Sequence, residues 1–170
     1  MDIFIMRHGI AEDSSPGGDS QRQLTPEGIA RIEEVAAALA ILDVCPDRIL
    51  SSPLVRARQT AEIISRSVSR RTELLGELSP GYQPDDVCGR LAKMEEVESV
   101  MLVGHQPNCS ELVSYLLGGS SSFGVEFKKG GVSFIQTERL GPSRGTLVWH
   151  MPPKALRRIA GSGPQRGDPH

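Results

Sequence analysis

The positions of apolar residues along the chain predict short strands that alternate with amphipathic helices. The first apolar run, Ile3 to Met6, is short, rich in β-branched and aromatic residues, and apolar on both faces, which is typical of a strand buried in a parallel sheet. Ser99 to Val103 is the clearest run of this kind, and Arg48 to Ser51 is a shorter one. Since a helical pattern follows each of these three runs, we predict an α/β sheet with mostly parallel strands.

The helical patterns share a proline at or close to their start. Thr25 is a good N-cap with Pro26 in the first helical position, and Ser52-Pro53 repeats that signal. The predicted helices cover residues 26 to 42–44, 53 to about 69, 84 to about 94, and the segment from 107 to 118–119. The residues predicted to face the core are Ile29, Ile32, Val35 or Ala36, Leu39, Val55, Ala57, Ala61, Ile64, Val68, Val87, Leu91, Met94, Leu112, Val113, Tyr115 and Leu116.

The last third of the chain predicts an antiparallel edge. Two β-like runs at 131–136 and 146–151 flank a loop with Gly141-Pro142, which favours a hairpin, and 73–75 is a candidate short edge strand. Residues 154–159 suggest one helical turn. We therefore predict a single three-layer α/β/α domain over residues 1–153, with a mostly parallel central sheet and an antiparallel edge, followed by a flexible C-terminal tail over 154–170.

Composition narrows the class of protein. A chain of 170 residues with 38% hydrophobic and 24% charged residues suits one soluble domain, and a net charge of −2 provides no basic field for nucleic acid or membrane. The three cysteines are widely spaced and form no CxxC pair, which disfavours a disulfide framework and favours a cytoplasmic location. We expect no signal peptide, no membrane span, and a monomer or weak dimer.

Polar side chains with phosphate chemistry follow the predicted strands. Arg7-His8 comes directly after the first strand, Arg56 lies in the first turn of the helix after the second, and His105 follows the central strand. The carboxyl ends of parallel strands form the ligand-binding edge of such sheets, so we expect these side chains to meet there. Two guanidinium groups and two imidazoles, with Gly9 allowing a sharp turn, indicate a site for a dianion such as phosphate.

The reaction that fits these residues is phosphoryl transfer to imidazole. A neutral histidine can attack phosphorus, and nearby arginines favour its neutral form while they stabilise the transition state. No acidic cluster at this edge indicates a magnesium site, so the sequence predicts no metal and no cofactor. Taken singly, each signal has an ordinary explanation: His105 as a hydrogen-bonded core histidine, Arg56 as a solvated helix residue.

Other basic residues lack this placement at strand ends. His150 and His170 are interpreted as structural or incidental, and Arg66, Arg70 and Arg71 as a solvated helix end.

Four segments in the same order resemble the histidine phosphatase superfamily, which includes the phosphoglycerate mutases. They are Met6-Arg7-His8-Gly9, Leu24-Thr25-Pro26-Glu27-Gly28, the segment 51–61 reading SSPLVRARQTA, and Val103-Gly104-His105-Gln106-Pro107. The short chain and the His-Gln-Pro step resemble the SixA type, the small phosphohistidine phosphatases of bacteria. The resemblance covers residues 1 to about 118 and implies a phosphoglycerate mutase-like fold.

The resemblance also implies roles for particular residues. His8 would be the nucleophile that becomes phosphorylated, Arg7 and Arg56 would bind the phosphoryl group, and His105 would hydrogen-bond it. Arg22 would be a further phosphate-binding residue, and Glu77 is the candidate proton donor.

The leading functional hypothesis is a metal-independent phosphatase that removes phosphoryl groups from phosphohistidine in proteins, through a covalent phosphohistidine intermediate and in a signal-transduction setting. The alternatives are a small-molecule phosphomonoester phosphatase or mutase, and a non-enzymatic phosphoprotein-binding module. The short loops between Gly9 and Leu24 and over residues 77–83 favour the protein substrate, because neither is long enough for a closed lid.

Overall fold

The computed structural model describes residues 1–94, 96–120 and 124–162 of the chain. The strands are β1 Asp2–Arg7, β2 Arg48–Ser51, β3 Thr72–Leu74, β4 Ser99–Gly104, β5 Val132–Thr137 and β6 Gly145–Met151. The helices are α1 Pro26–Ile41, α2 Val55–Val68, α3 Pro84–Leu91, α4 Asn108–Gly118 and α5 Pro153–Gly161. Two one-turn 3₁₀ helices lie at Asp19–Gln21 and Gly76–Leu78.

The six strands form one sheet in the order β3-β2-β4-β1-β5-β6. Strands β1 to β4 pair in parallel, whereas β5 runs antiparallel to β1 and forms a hairpin with β6 at the sheet edge. The predicted fold class, a mostly parallel sheet with an antiparallel edge, is confirmed.

Helices cover both faces of the sheet, which explains why its strands are apolar on both sides. On one face α1, α2 and α5 pack on Phe4 and Met6 of β1, and on the other face α3 and α4 pack on Ile3 and Ile5. Alternate residues of one strand therefore belong to two separate core layers, as the two-residue period of a strand requires.

The predicted helix starts are confirmed in part. The Thr25 hydroxyl accepts a hydrogen bond from the Gly28 amide at 3.0 Å and caps α1. Helix α2 begins at Val55 and not at Pro53, with Leu54 at the N-cap position, and the Ser52 hydroxyl bonds to both the Leu54 amide and His105. The prediction that Ile29 faces the core is wrong, since 37% of its surface is exposed.

The helix in the C-terminal segment is longer than the single turn that the sequence suggests. Helix α5 spans Pro153–Gly161 and packs along α1, with Leu156 fully buried and Arg157 paired with Glu34. The expectation of a single turn over 154–159 is wrong because the spacing of Leu156 and Ile159 supplies an apolar stripe that the face of α1 covers. The domain boundary at residue 153 stays a prediction, and residues 163–170 of the predicted tail lie outside the described residues.

No helix within the described ranges combines the length and the apolar character that crossing a membrane would require.

The burial of Leu156 gives a test of α5 as part of the core. We expect Leu156→Ala to lower the free energy of unfolding by about 2 to 5 kcal/mol, because it removes a buried side chain and leaves a cavity. Chemical denaturation measures the change, with the exposed neighbour Lys154→Ala as the matched control. A Leu156→Ala protein as stable as the wild type would show that α5 adds nothing to the core.

Candidate active site

The register of the parallel strands places the predicted site residues together. Arg7 of β1 pairs with Gly104 of β4, so His8 and His105, the next residues along each strand, lie side by side. Their ring centroids are 5.0 Å apart. Both histidines are buried, and the His8 amide donates to the Gly104 carbonyl at 3.0 Å, which prolongs the ladder by one step. The predicted meeting of these groups at the carboxyl edge of the sheet is confirmed.

The hydrogen bonds of His8 define its tautomer. Its Nδ1 lies 2.7 Å from the Gly9 carbonyl oxygen. Because a carbonyl can only accept, Nδ1 carries the proton and Nε2 holds the lone pair. Arg56 Nε donates to this Nε2 at 3.3 Å. Burial lowers the pKa of His8 to about 3, and the neighbouring His105, Arg56 and Arg7 act in the same direction, so the ring is neutral at physiological pH.

His105 has one engaged and one open nitrogen. Its Nε2 lies 2.8 Å from the hydroxyl of Ser52, the residue that follows β2, while its buried Nδ1 has no hydrogen-bond partner. Burial, followed by the charge of Arg56, lowers the pKa of His105 to about 4. Buried polar atoms normally have partners, so an open nitrogen at a strand end marks a position where a ligand can bind.

Arg7 shows the same pattern. Its Nη1 donates to the Phe127 carbonyl at 2.7 Å, whereas its Nε is buried without a partner. Burial lowers the pKa of Arg7, although the group stays charged at physiological pH. The guanidinium therefore has a free donor beside the two histidines, as an oxyanion site requires.

Arg56 is 5% exposed, and the loop between β1 and α1 provides acceptors for its terminal nitrogens. Its Nη1 donates to the Asp19 carbonyl at 2.7 Å and its Nη2 to the Asp19 carboxylate at 3.0 Å. Arg22 donates to the other carboxylate oxygen of Asp19 at 2.8 Å and to the Glu12 carbonyl. Arg22 thus reaches the site through Asp19, a residue that the sequence analysis missed.

Residues of the sequence segments that resemble the histidine phosphatases hold the carboxyl end of β1 in place. The Gly9 amide donates to Thr60 Oγ1 at 3.0 Å, and that hydroxyl donates to the Arg56 carbonyl at 2.7 Å, which ties β1 to the first turn of α2. A Cβ atom at Gly28 would lie 2.0 Å from the Ile10 carbonyl oxygen, so only glycine allows α1 to pack this closely against the chain after His8.

Glu77 lies in the 3₁₀ turn after β3 and lines a cavity of about 20 Å³ together with His105, Tyr82 and Asn108. A space of that size holds about one water molecule. The role of Glu77 as proton donor stays a prediction.

His150 hydrogen-bonds Ser133 at 2.7 Å and the Glu126 carbonyl at 3.2 Å, which fits its interpretation as a structural histidine. His170 lies outside the described residues.

Known proteins are similar to this chain in sequence and in fold. The family model of the histidine phosphatase superfamily (branch 1) matches residues 3–81. The phosphohistidine phosphatase SixA of Escherichia coli strain K12 is 32% identical over 161 residues, which is 92% of this chain and 97% of that protein. The phosphohistidine phosphatase SixA homolog of Haemophilus influenzae is 34% identical over 131 residues, 69% of this chain and 78% of that protein.

A solved structure agrees with these relatives. The protein histidine phosphatase SixA in complex with tungstate has a TM-score of 0.81 at 31% identity, and the match covers 92% of this chain and 99% of that one. With the fold and the arrangement of Arg7, His8, Arg56 and His105, this similarity places the chain in the histidine phosphatase superfamily. It is a phosphatase, and within the superfamily it is of the SixA type.

The tautomer of His8 gives a direct test of the site. We expect ¹⁵N NMR to show His8 neutral, with the proton on Nδ1, down to about pH 5.5, because a buried imidazole with neighbouring cations resists protonation. The pKa of His8, about 3, lies far below that pH. The urea-unfolded protein is the control and should titrate at about 6.5. A folded-state midpoint near that control value would contradict the buried, neutral His8.

Proposed function

We propose that this chain is a metal-independent phosphatase that removes phosphoryl groups from phosphohistidine in proteins through a phosphorylated His8. The observation that carries the proposal is the lone pair of His8 Nε2 beside the Nε donor of Arg56. Arg7 Nε and His105 Nδ1 have no hydrogen-bond partner, and the charge of Arg7 acts on both histidines. A nucleophile surrounded by unfilled cationic and polar donors is suited to a phosphoryl group.

In the first step, the His8 Nε2 lone pair attacks phosphorus, and the N–P bond of the substrate breaks. Arg7, Arg56 and His105 hold the three non-bridging oxygens, whose charge they stabilise in the transition state. The low pKa of His8 keeps the attacking nitrogen unprotonated. The Nδ1–Gly9 hydrogen bond stabilises the partial positive charge that the ring gains as the new bond forms.

In the second step, water attacks the phosphorylated His8 and gives up a proton to the acid that protonated the leaving group, the N–P bond to His8 breaks, inorganic phosphate leaves, and neutral His8 is restored. The leaving imidazole of the substrate needs a proton in the first step, and Glu77 is the candidate donor because it lines the cavity beside His105. A phosphoramidate loses imidazole more readily than a phosphate ester loses an alkoxide, so a weak acid suffices. The arginines supply the positive charge that a metal ion supplies in other phosphoryl transferases.

Protein phosphohistidine is the proposed substrate because of the surroundings of the site and the relatives. The E. coli and H. influenzae relatives carry the name phosphohistidine phosphatase. The loop from Glu12 to Gln23 bonds to Arg56, and residues 79–83 form a short connection; we infer from these short lengths that neither closes as a lid over a small molecule. An open site excludes water poorly, which handicaps a phosphomonoester more than a labile phosphoramidate. A cytoplasmic role in signal transduction is part of this proposal.

The substrate assignment is tested by comparing kcat/KM for a phosphorylated histidine-phosphotransfer domain with values for several small phosphomonoesters, all in buffer with EDTA. We expect the phosphoprotein to be preferred, because its labile N–P bond needs less transition-state stabilisation from a site that excludes water poorly. The His8→Ala protein from the same preparation controls for contaminating phosphatases.

A small ester preferred by about tenfold or more, roughly 1.4 kcal/mol of transition-state free energy, would make the small-molecule alternative correct. Loss of all activity in EDTA, with recovery on adding magnesium, would contradict the metal-independent mechanism.

A further inference from the structure

The guanidinium of Arg56 is held at two separate edges. Its Nε donates to His8 Nε2, whereas both terminal nitrogens donate to Asp19, Nη1 to the main-chain carbonyl and Nη2 to the carboxylate. A guanidinium has five N–H donors in a rigid plane. Asp19 uses two of them, on the two terminal nitrogens, which leaves the Nε edge directed at the nucleophile.

Asp19 supplies the counter-charge for a buried cation. Arg56 is 5% exposed, and among the residues that the structure describes, Asp19 is its ion-pair partner. A buried guanidinium without a counter-charge pays a large desolvation cost and shifts toward solvent. Hydrogen bonds from Arg22 and then Arg56 lower the pKa of Asp19, so the group is a carboxylate and not a proton donor.

The loop that carries Asp19 is itself held in place. At its base, Glu12 and Gln23 exchange hydrogen bonds, since the Glu12 amide donates to the Gln23 carbonyl and the Gln23 amide donates to the Glu12 carboxylate. At its tip, Asp19 lies in a 3₁₀ turn and bonds to Arg22 three residues later. Although 62% of its side chain is exposed, Asp19 is thus fixed by both the loop and the two arginines.

We propose that Asp19 is a positioning residue for the reaction: it grips the far edge of the Arg56 guanidinium so that Nε faces the atom that His8 uses for attack. This inference rests on the proposed phosphatase function. The opposite possibility is that the carboxylate competes with the phosphoryl group for Arg56. The geometry favours positioning, because Asp19 accepts from the terminal nitrogens Nη1 and Nη2 and makes no hydrogen bond with the Nε that faces His8.

The first experiment replaces Asp19 and follows kcat and KM. We expect Asp19→Ala to lower kcat by about tenfold or more, because small misplacements of an oriented group cost up to about 100-fold in rate. Asp19→Asn keeps a side-chain acceptor oxygen for Arg56 Nη2, which alanine lacks, so it should recover part of the loss. Asp13→Ala is the matched control, an exposed acid on the same loop, and should leave kcat within about twofold of wild type, as expected for a surface substitution.

The second experiment tests whether Asp19 acts through Arg56. In a double-mutant cycle, Asp19→Ala added to Arg56→Ala should lower kcat by less than about twofold, because a residue that acts only through its partner has nothing left to position. Independent, multiplicative losses would overturn the proposal. Thermal midpoints of all variants identify any that are unfolded.

Tungstate binding by calorimetry separates this proposal from the proposed substrate, since it needs no turnover. Positioning predicts that Asp19→Ala binds tungstate more weakly than the wild type. Tighter binding, with unchanged or faster turnover, would show that Asp19 competes with the anion and would overturn the positioning role. If the wild type turned over no phosphohistidine, the proposed function would be wrong. A loss of tungstate affinity on Asp19→Ala would still support the positioning role.

Discussion

The hydrogen bond between His8 Nδ1 and the Gly9 carbonyl is the interaction on which the rest of the site depends. It places the proton on the nitrogen that faces the main chain and leaves the lone pair on Nε2, where Arg56 donates. Burial alone would keep the ring neutral but would not choose between its two nitrogens. The short bond to an adjacent carbonyl makes that choice, so the lone pair lies on a defined atom, Nε2, which Arg56 contacts.

This arrangement is a consequence of strand register. The pairing of Arg7 with Gly104 brings His8 beside His105, and the pairing of Ser51 with Val103 brings Ser52 within reach of the His105 ring. A slip of one residue in either pairing would turn these side chains to the opposite face of the sheet. The alternation of core residues on both faces of β1 and β4 therefore protects the site as well as the fold, since the same register serves both.

The sequence predicted the parts of this site that depend on strand ends, namely Arg7, His8, Arg56 and His105, because a buried apolar run locates its own carboxyl end. It missed Asp19, whose contact with Arg56 depends on how a polar loop folds against a residue 37 positions further along the chain. It also treated Ser52 as a helix cap, although a hydroxyl at that position can equally bind a histidine from another strand. Helix α5 was underestimated although Leu156 and Ile159 are spaced as on one face of a helix, because its nine residues make only about two and a half turns.

The central claim is that His8 attacks phosphorus through Nε2, and the position of the phosphoryl group on the trapped enzyme tests it most directly. The enzyme, labelled with ¹⁵N-histidine, is mixed with phosphorylated substrate and quenched in alkali, in which an N–P bond survives. ³¹P–¹⁵N NMR then identifies the phosphorylated nitrogen. The account predicts phosphate on Nε2 of His8. Phosphate on Nδ1 of that ring, or on His105, would contradict it, as would undiminished turnover by His8→Ala.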